Sequence, residues 1–509
     1  MVKALLNTYE LSWKPDKNRL KKPFYLSLAT TMKEDIVQGV LPAYTKLPPQ
    51  RELARYLELN VSTVTKAYKL CETNGLVTAA VGRGTFVAPL TIMHHPFDEG
   101  APIEQERYGN LESNPFSNSS PNSEKSSLQT VSSQKANSQV SYTQSFIPAD
   151  VINLAYQKVS SIHSDVIRKE GIQMLSAPNS AELFGSNAYL GSSFQLDAGK
   201  IWLAEQGVHL KEHSSIFITM GISHALGVIL SSLFQPGIAI AMDTYTSPYA
   251  AATMSKLLHL KMVPIENDAE GISATALEAA CRTGKIKALF VLPTGNPNNI
   301  TLSEKRKAEI AEVAKKYNLF VIEDDYMTPF KDIKPTPLYN LIPEQTAYIS
   351  SVSQAISTGI RIAYIAVPNK YRRSIAETLF ASMHKISPFD AQLAAQIISK
   401  GLHRTLIAEK QEHIRFRNWC FSLHFPDFKT NPLSIAQWIK LPSELTGKQV
   451  EKDLRALGVQ VLSARHFALG ERALDTAIYL ATCGPETPHQ LHEGLRTIKS
   501  YFEENGIHV

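Results

Sequence analysis

The sequence predicts a multidomain protein, in which an N-terminal winged helix-turn-helix precedes a C-terminal α/β domain with a mainly parallel sheet. Its 509 residues exceed one ordinary core, because domains typically hold about 100–200 residues. Residues 111–145 are dominated by Ser, Asn and Gln, and they separate two regions of different pattern. Short helical periods and a hairpin fill the first region, whereas apolar runs alternate with helical stretches in the second.

Charge is distributed unevenly along the chain. Residues 1–90 carry 13 Lys and Arg against 7 Asp and Glu, residues 91–150 carry 3 against 7, and the remainder carries 36 against 33. A positive excess confined to the N-terminal region is expected of a domain that faces phosphates, although small basic domains without nucleic-acid partners are common.

Composition narrows the class of protein. Hydrophobic residues make up 44% and charged residues 19%, and no apolar run approaches the roughly 20 residues that span a bilayer. The first residues lack the layout of an export signal, so we expect a cytoplasmic protein with no membrane partner. The four cysteines are far apart and show no CxxC spacing, which argues against a disulfide framework and against a zinc site.

Three helices are predicted before residue 75. The first is amphipathic, with apolar residues close to a 3.6-residue period at Leu26, Leu28, Met32, Ile36 and Val40. The second lies in LPPQRELARYLEL. The third begins after Asn60 in the N-cap position and stops at the Asn74–Gly75 pair. Its inward stripe is predicted to hold Val61, Val64, Tyr68 and Cys71, and its outward face Ser62, Thr63, Thr65, Lys66 and Lys69.

A hairpin follows the third helix, in GLVTAAVGRGTFVAP. Gly82 and Gly84 permit a tight turn, and Arg83 lies at its tip. A polar third helix fits the major groove of DNA, and a hairpin tip with Arg can enter the adjacent minor groove. The pattern therefore predicts a winged helix that binds DNA. A three-helix protein-interaction module is the alternative that the pattern alone leaves open.

The polar segment is predicted to act as a tether. Segments of this composition do not bury enough apolar surface to offset their ordering entropy. As a random coil, residues 91–150 would reach about 40–45 Å, which allows one domain to act on a neighbouring subunit. A simple spacer explains the composition equally well.

The region from residue 151 shows strands that end in polar turns. In the first of them, Gly221 opens a helix whose leading amides, near Ile222 and Ser223, suit an anion. Later strand ends supply an amide, an acid, a phenol, two hydroxyls and a cation: Asn296, Asp324, Tyr326, Ser351, Ser353 and Arg361. Open α/β sheets bind their ligands at such ends. Each residue alone could be a cap or a core hydrogen-bond partner, but together they suit a phosphorylated heteroaromatic cofactor.

The N-terminal region closely resembles the GntR-type winged helix, whose specific marks include LPPQRELA and GRGTFV. The resemblance implies that Arg51, the early third helix with Ser62, Thr63, Thr65 and Lys66, and Arg83 with Gly84 lie at the DNA. Many members carry an Arg where this chain has Val61. The bases that this chain reads are therefore left open.

The C-terminal region resembles the fold type I aminotransferases, which bind pyridoxal 5′-phosphate. The resemblance implies that Asn296 and Tyr326 bond the ring oxygen and that Asp324 pairs with the pyridine nitrogen. Arg361, Ser351, Ser353 and the amides of Ile222 and Ser223 would hold the phosphate. Tyr245 approximates a substrate-side Tyr. The order of the domains resembles MocR/GabR-type transcription factors over essentially the whole chain.

The resemblance divides the chain into a winged helix at 1–90, a linker at 91–150 and an aminotransferase-like domain at 151–509, with a small subdomain from about 375 to 509. It implies a homodimer that binds promoter operator DNA and responds to a small-molecule effector. We expect no bound metal.

Two family residues are replaced. The Lys that forms the Schiff base lies seven residues before the phosphate Arg, and Gln354 stands there. A carboxamide nitrogen is not a nucleophilic amine, so no covalent attachment is expected. Tyr479 stands where the Arg that grips a substrate carboxylate is expected. Both replacements predict a domain without catalysis that senses a small molecule or scaffolds a dimer.

Alternatives remain for the domain and its ligand. Pyridoxal 5′-phosphate or another B6 phosphate would bind non-covalently, and a rival interpretation has an unrelated ligand or none. An active aminotransferase that carries a DNA-binding domain is the alternative function, and Gln354 argues against it. A pure scaffold gives no role to Asp324, Tyr326, Asn296 and Arg361.

Overall fold

A computed structural model describes residues 11–80, 82–89, 150–157, 164–185, 190–295, 297–470 and 475–507. Most of the predicted linker lies outside these ranges, so its tether function and its boundaries stay predictions.

The N-terminal domain contains three helices and a two-stranded hairpin. Their bounds are α1 Phe24–Val37, α2 Gln50–Leu57, α3 Val61–Thr73, β1 Val77–Ala80 and β2 Gly84–Val87. In α1 the predicted stripe is buried at Leu28, Met32 and Ile36. Val40 does not belong to it, because the helix ends three residues earlier and the side chain is exposed.

Helix α3 differs from its prediction at one residue of the stripe. Val64, Tyr68 and Cys71 are buried as expected, but Val61 is 42% exposed. Val61 is the first helical residue, and Asn60 before it is the N-cap without a side-chain capping bond. The start of the helix therefore projects from the core, which leaves an apolar side chain on the face predicted to meet DNA.

The predicted hairpin is confirmed. Strands β1 and β2 pair antiparallel from Val77 with Val87 to Ala80 with Gly84. Gly82 and Gly84 have φ values of 76° and 119°, in the left-handed region where a side chain would be strained.

The C-terminal domain is built on a seven-stranded sheet flanked by helices. Strand order is β4-β12-β11-β10-β9-β5-β6, and only β12 runs antiparallel to its neighbours. The strands are β4 Ser214–Thr219, β5 Ala239–Asp243, β6 Lys261–Ile265, β9 Ile286–Val291, β10 Phe320–Asp324, β11 Thr346–Ser351 and β12 Ala363–Pro368. Three short strands of two residues each lie outside this sheet: β3 Ile152–Asn153, β7 Asn267–Asp268 and β8 Gly271–Ile272. This mainly parallel sheet confirms the predicted fold class.

The topology brings the predicted ligand residues to one edge. Six strands deliver their carboxyl ends there, and β12 begins at the same edge because it runs in the opposite direction. Arg361, two residues before β12, therefore lies at the edge where Asp324 and Ser351 end their strands. Helix α6 begins at this edge at Gly221, directly after β4.

Helices cover the sheet and build the small subdomain. The bounds are α4 Ser164–Leu175, α5 Ser193–Glu205, α6 Gly221–Leu233, α7 Pro248–Ala252, α8 Ala274–Cys281, α9 Glu304–Lys316, α10 Leu338–Leu341, α11 Arg372–Met383, α12 Pro388–Ser399, α13 Leu402–His424, α14 Gly447–Ala456 and α15 Pro488–Glu504. A three-stranded sheet packs against α14, with β13 Gln437–Lys440, β16 Ala477–Leu480 and β15 Leu462–Ser463 in that order. Strand β14, Val459–Gln460, pairs with β3, so the chain after the linker joins the small subdomain.

Candidate functional site

Most of the residues predicted to contact DNA are exposed. Ser62, Thr65 and Lys66 are exposed on α3, and Thr63 is half-buried. The hydroxyl of Thr65 donates to Oε1 of Gln50 at 2.7 Å, which ties α3 to the start of α2 beside the exposed Arg51. Arg83 and Gly84 are exposed at the wing. Contacts of these residues with DNA stay predictions.

Three consecutive acids, Glu323, Asp324 and Asp325, lie at the end of strand β10 and just after it, and their partners distinguish them. Both carboxylate oxygens of Glu323 accept backbone N–H groups, from Leu338 and Tyr339 at 2.9 Å each. Asp325 accepts from the hydroxyls of Thr294 and Tyr348 and from a backbone amide. Both acids are therefore occupied in holding the fold, which leaves Asp324 as the acid available to a ligand.

Asp324 keeps one carboxylate oxygen without a partner. The residue is 1% exposed, Tyr249 donates its hydroxyl to Oδ2, and Oδ1 has no hydrogen-bond partner among the described residues. Unpaired buried polar atoms are costly and rare, so they point to a missing partner. Burial raises the pKa of the carboxyl to about 7, and the neighbouring Asp325 acts in the same direction. A cationic ring N–H at Oδ1 would satisfy this oxygen and favour its charged form.

The raised pKa of Asp324 predicts a pH-dependent stability. Between the ordinary carboxyl pKa of about 4 and the folded value of about 7, the folded chain holds a proton that the unfolded chain has released. The free energy of unfolding of the ligand-free protein should therefore fall as pH rises from 5 to 7. Asp324→Asn, which does not titrate, should show a smaller fall in thermal unfolding scans. Equal slopes in both proteins would contradict this assignment, because the buried Asp243 and Glu323 titrate in both.

The predicted anion corner lies where α6 begins. Gly221 has a φ of 78°, and a Cβ built on it would lie 3.3 Å from a guanidinium nitrogen of Arg361. The backbone angle therefore favours glycine, and a Cβ would also crowd the guanidinium of Arg361. In the described part of the chain, no carboxylate forms an ion pair with Arg361, which is exposed. The cation and the first amides of a 13-residue helix thus face the same corner.

The serines of the turn after β11 bond to their own loop. The hydroxyl of Ser351 donates to the carbonyl of Ile362 at 3.2 Å, and that of Ser353 donates to Ile360 at 2.8 Å. These bonds close the turn that positions Arg361. A hydroxyl that donates to a carbonyl can still accept from another donor, but holding phosphate requires donation. Phosphate contacts by Ser351, Ser353, Ile222 and Ser223 stay predictions.

The structure describes one of the two residues predicted to bond the ring oxygen. Tyr326 is buried in the core cluster beside the sheet edge, and it is close enough to Tyr249 to contribute to the raised pKa of that tyrosine. Its contact with a ring oxygen stays a prediction. Asn296 lies outside the described residues, so its part in the site stays a prediction.

Gln354 occupies the turn directly after Ser353 and is half-buried. Its backbone carbonyl accepts a hydrogen bond from the amine of Lys410 at 2.9 Å, and the carbonyl of Ile356 accepts a second at 2.9 Å. Lys410 comes from α13, 56 residues away in sequence. Neither Gln354 nor the turn itself supplies an amine to the site.

Tyr479 belongs to an aromatic cluster that also contains Tyr245. Its hydroxyl accepts from Nε2 of Gln157 at 2.5 Å, and its ring lies 4.9 Å from that of Phe467. Trp438 links Phe467 to Tyr245, with ring centroids 6.0 and 5.2 Å apart. An uncharged surface therefore lies where the resemblance implied a carboxylate-binding Arg. The substrate-side position of Tyr245 stays a prediction.

Sequence reasoning missed two residues of this site. Tyr249, which bonds to Asp324, stands four residues after Tyr245, and Pro248 at the start of α7 marks the helix that carries it. The role of Lys410 could not be predicted from the local sequence, because the pattern of α13 does not indicate which turn the helix contacts.

The residues present fit a phosphorylated pyridine. Asp324 offers an unpartnered buried oxygen, which suits a protonated ring nitrogen. Arg361 and the α6 amides offer a cation and unpaired donors, which suit a phosphate. Among the described residues, no group of three or more His, Cys, Asp or Glu could hold a metal ion. Nor does any helix in those ranges have the length and apolarity to cross a membrane.

Two family descriptions match the chain. Residues 24–87 match "Bacterial regulatory proteins, gntR family", and residues 149–466 match "Aminotransferase class I and II". The two matches cover the winged helix and the sheet domain, in the predicted order.

Similar proteins align with this chain over most of their length. The HTH-type transcriptional regulator YdeF of Bacillus subtilis is 31% identical over 503 residues, which cover 97% of this chain and 98% of the relative. The HTH-type transcriptional regulator YjiR of Escherichia coli is 24% identical and covers 87% of this chain and 92% of its own.

Solved structures share the fold of the C-terminal domain. A Pyrococcus horikoshii kynurenine aminotransferase, solved with PMP, is 19% identical and superposes with a TM-score of 0.64 over 70% of this chain and 92% of its own. A multiple-substrate aminotransferase from Thermococcus profundus gives 0.63 at 19% identity, with 70% and 92% covered.

Proposed function

The chain belongs to the HTH-type transcriptional regulators of the MocR/GabR type, and we propose that its aminotransferase-like domain binds a B6 phosphate without catalysing transamination. The winged helix binds DNA, and the ligand would act as an effector of a homodimer on promoter DNA. One observation carries the proposal: one sheet edge combines a buried acid that has an unpartnered oxygen with the corner of Arg361 and the α6 amides, while the turn around Gln354 contains no amine side chain.

The chain's own residues supply binding and orientation. Arg361 and the amides at the start of α6 would bind the phosphate. Asp324, held by Tyr249, would orient the ring through its nitrogen. When bound in an enzyme, this group supplies an electron sink for amino-acid substrates, and an amine on the protein moves the proton. Gln354 does not hold or move a proton in this way, since a carboxamide is neither acid nor base near neutral pH.

The uncharged surroundings of Tyr479 support the same proposal. In the aromatic cluster of Tyr245, Trp438, Phe467 and Tyr479, the only described side-chain bond of Tyr479 is to the neutral Gln157. An amino-acid substrate would bury its carboxylate there without a cation, which is unfavourable. The domain therefore suits the cofactor-like ligand better than it suits a transamination substrate.

The proposal is tested by calorimetric titration of the full-length protein with pyridoxamine 5′-phosphate, which has no aldehyde and does not modify lysines. We expect saturable one-to-one binding, and we expect Asp324→Asn to weaken it about tenfold or more, which corresponds to about 1.4 kcal/mol or more for a charged hydrogen bond. Asp197→Asn is the control, because Asp197 is an exposed acid of α5. Absence of binding to the wild type would contradict the proposal, as would an equal effect of both variants.

A further inference from the structure

Helix α13 lies between the winged helix and the turn after β11 that contains Gln354. Lys410 and Glu412 are two residues apart on it, so at about 100° per residue their side chains point to roughly opposite faces. Lys410 contacts the turn of the effector domain, and Glu412 contacts the DNA-binding domain. Because a helix is about 10 Å in diameter, the contact with the turn and the contact with the DNA-binding domain are about one helix width apart.

The contact on the turn side is buried. Lys410 is 2% exposed, and its amine donates to the carbonyls of Gln354 and Ile356 at 2.9 Å each. No carboxylate pairs with it in the ranges that the structure describes. Gln411 adds a bond from Nε2 to the carbonyl of Phe330 at 2.9 Å, which ties α13 to the segment after β10.

The contact on the DNA side is made by Tyr44, which precedes α2. Its hydroxyl donates to Oε1 of Glu412 at 2.5 Å, and its ring lies 5.3 Å from that of Trp419. The backbone amide of Tyr44 donates to the carbonyl of Val87 at 2.8 Å, which fastens it to wing strand β2. Phe86 of the same strand packs edge-on against Trp419 at 5.0 Å.

We propose that Lys410 is a positioning residue through which α13 couples the Gln354 turn to the wing. The inference rests on the proposed function, because it makes the turn the part of the ligand site that the DNA-binding domain senses. A buried ammonium that lost its carbonyl acceptors would leave several kcal/mol of desolvation uncompensated. The turn and α13 must therefore move together, and the Tyr44–Glu412 contact passes that movement to the wing.

The pKa of Lys410 agrees with this geometry. Burial lowers it to about 8. Among the described residues, the amine donates to the carbonyls of Gln354 and Ile356 and pairs with no carboxylate, so its hold on the turn depends on those two acceptors.

Hydrogen exchange of the full-length protein without ligand tests the coupling. We expect Lys410→Met to raise exchange at least threefold in the turn, residues 352–362, and also in residues 44–47 and 84–88 of the winged helix. Lys410→Arg, which keeps the cation and its donors, should restore most of the protection. If the Met variant does not fold, Tyr44→Phe tests the same link from the other side, because coupling is reciprocal and should raise exchange in the turn.

Lys307→Met is the matched control. Lys307 is as buried as Lys410, and its amine donates to Glu304 and to the carbonyl of Thr336, but it lies on α9. This variant should lose stability without a specific rise at residues 84–88. A Lys410→Met variant with increased exchange in the turn and wild-type exchange in the wing would overturn the coupling.

A second arm separates this inference from the proposed function. Adding pyridoxamine 5′-phosphate to the wild type should change exchange in the turn and in residues 84–88, and Lys410→Met should remove the change in the wing at saturating ligand. Lack of binding would contradict the proposed ligand and leave the ligand-free comparison to decide the coupling. Binding that changes the turn and leaves the wing unchanged would overturn the coupling and keep the ligand.

Discussion

Arg361→Ala should weaken the binding of pyridoxamine 5′-phosphate about 100-fold or more, with little change in thermal stability. An Arg fork on a phosphate makes two charge-assisted hydrogen bonds of about 1.5–3 kcal/mol each, and about 1.4 kcal/mol is a factor of ten. The side chain is exposed, so its loss leaves no cavity in the core. Calorimetric titration of the variant measures the loss directly.

Arg373→Ala is the control for this prediction. Arg373 is 91% exposed and pairs with Glu377 on α11, away from Gly221. It should bind the ligand as the wild type does. Equal affinities of Arg361→Ala and wild type would show that phosphate is not held at the start of α6.

Removing three cations from the predicted DNA face should abolish most of the DNA affinity. In Arg51→Ala/Lys66→Ala/Arg83→Ala, the slope of log affinity against log salt should become shallower by about 2.7, at about 0.9 for each lost phosphate contact. Fluorescence anisotropy with DNA from the protein's own promoter region, at several salt concentrations, gives both the affinity and the slope. Base-specific contacts by Ser62, Thr63 or Thr65 would remain, so residual sequence preference is expected.

A charge-matched variant controls for net charge. Lys287, Lys305 and Lys370 are exposed on the C-terminal domain, and replacing all three by Ala removes the same charge. This variant should keep the wild-type slope within about one unit. A similar loss in both triple variants would indicate a general charge effect and would contradict the assignment of Arg51, Lys66 and Arg83 to the interface.

The winged helix could be predicted almost entirely from the sequence because its signals are local. The period of α1, the Asn–Gly stop of α3 and the Gly–Arg–Gly turn each fix an element within a few residues. Errors occurred at the ends of elements. Val40 and Val61 match the apolar period, but one lies beyond the last turn of its helix and the other at the first turn of its own, where the core no longer reaches.

The C-terminal site was predicted where residues follow strands and was missed where distant segments meet. Asp324 lies at the sheet edge because it ends a parallel strand, as the sequence pattern predicts. Arg361 reaches the same edge only because β12 runs antiparallel, which the pattern does not indicate. The bond from Tyr249 to Asp324 spans 75 residues, and the bond from Lys410 to Gln354 spans 56. Periodicity carries no information about such pairs, because it reports only which face of an element is buried. The choice of Asp324 among three acids likewise needed the partners of Glu323 and Asp325.

We propose above that the aminotransferase-like domain binds a B6 phosphate and lacks the amine that would attach it. The most direct measurement treats the full-length wild type and Gln354→Lys with one equivalent of pyridoxal 5′-phosphate, reduces both with borohydride, and maps modified peptides by mass spectrometry. We expect the wild type to bind the ligand and stay unmodified, whereas the variant gains one cofactor at residue 354. A stoichiometric adduct at any single lysine of the wild type would contradict it.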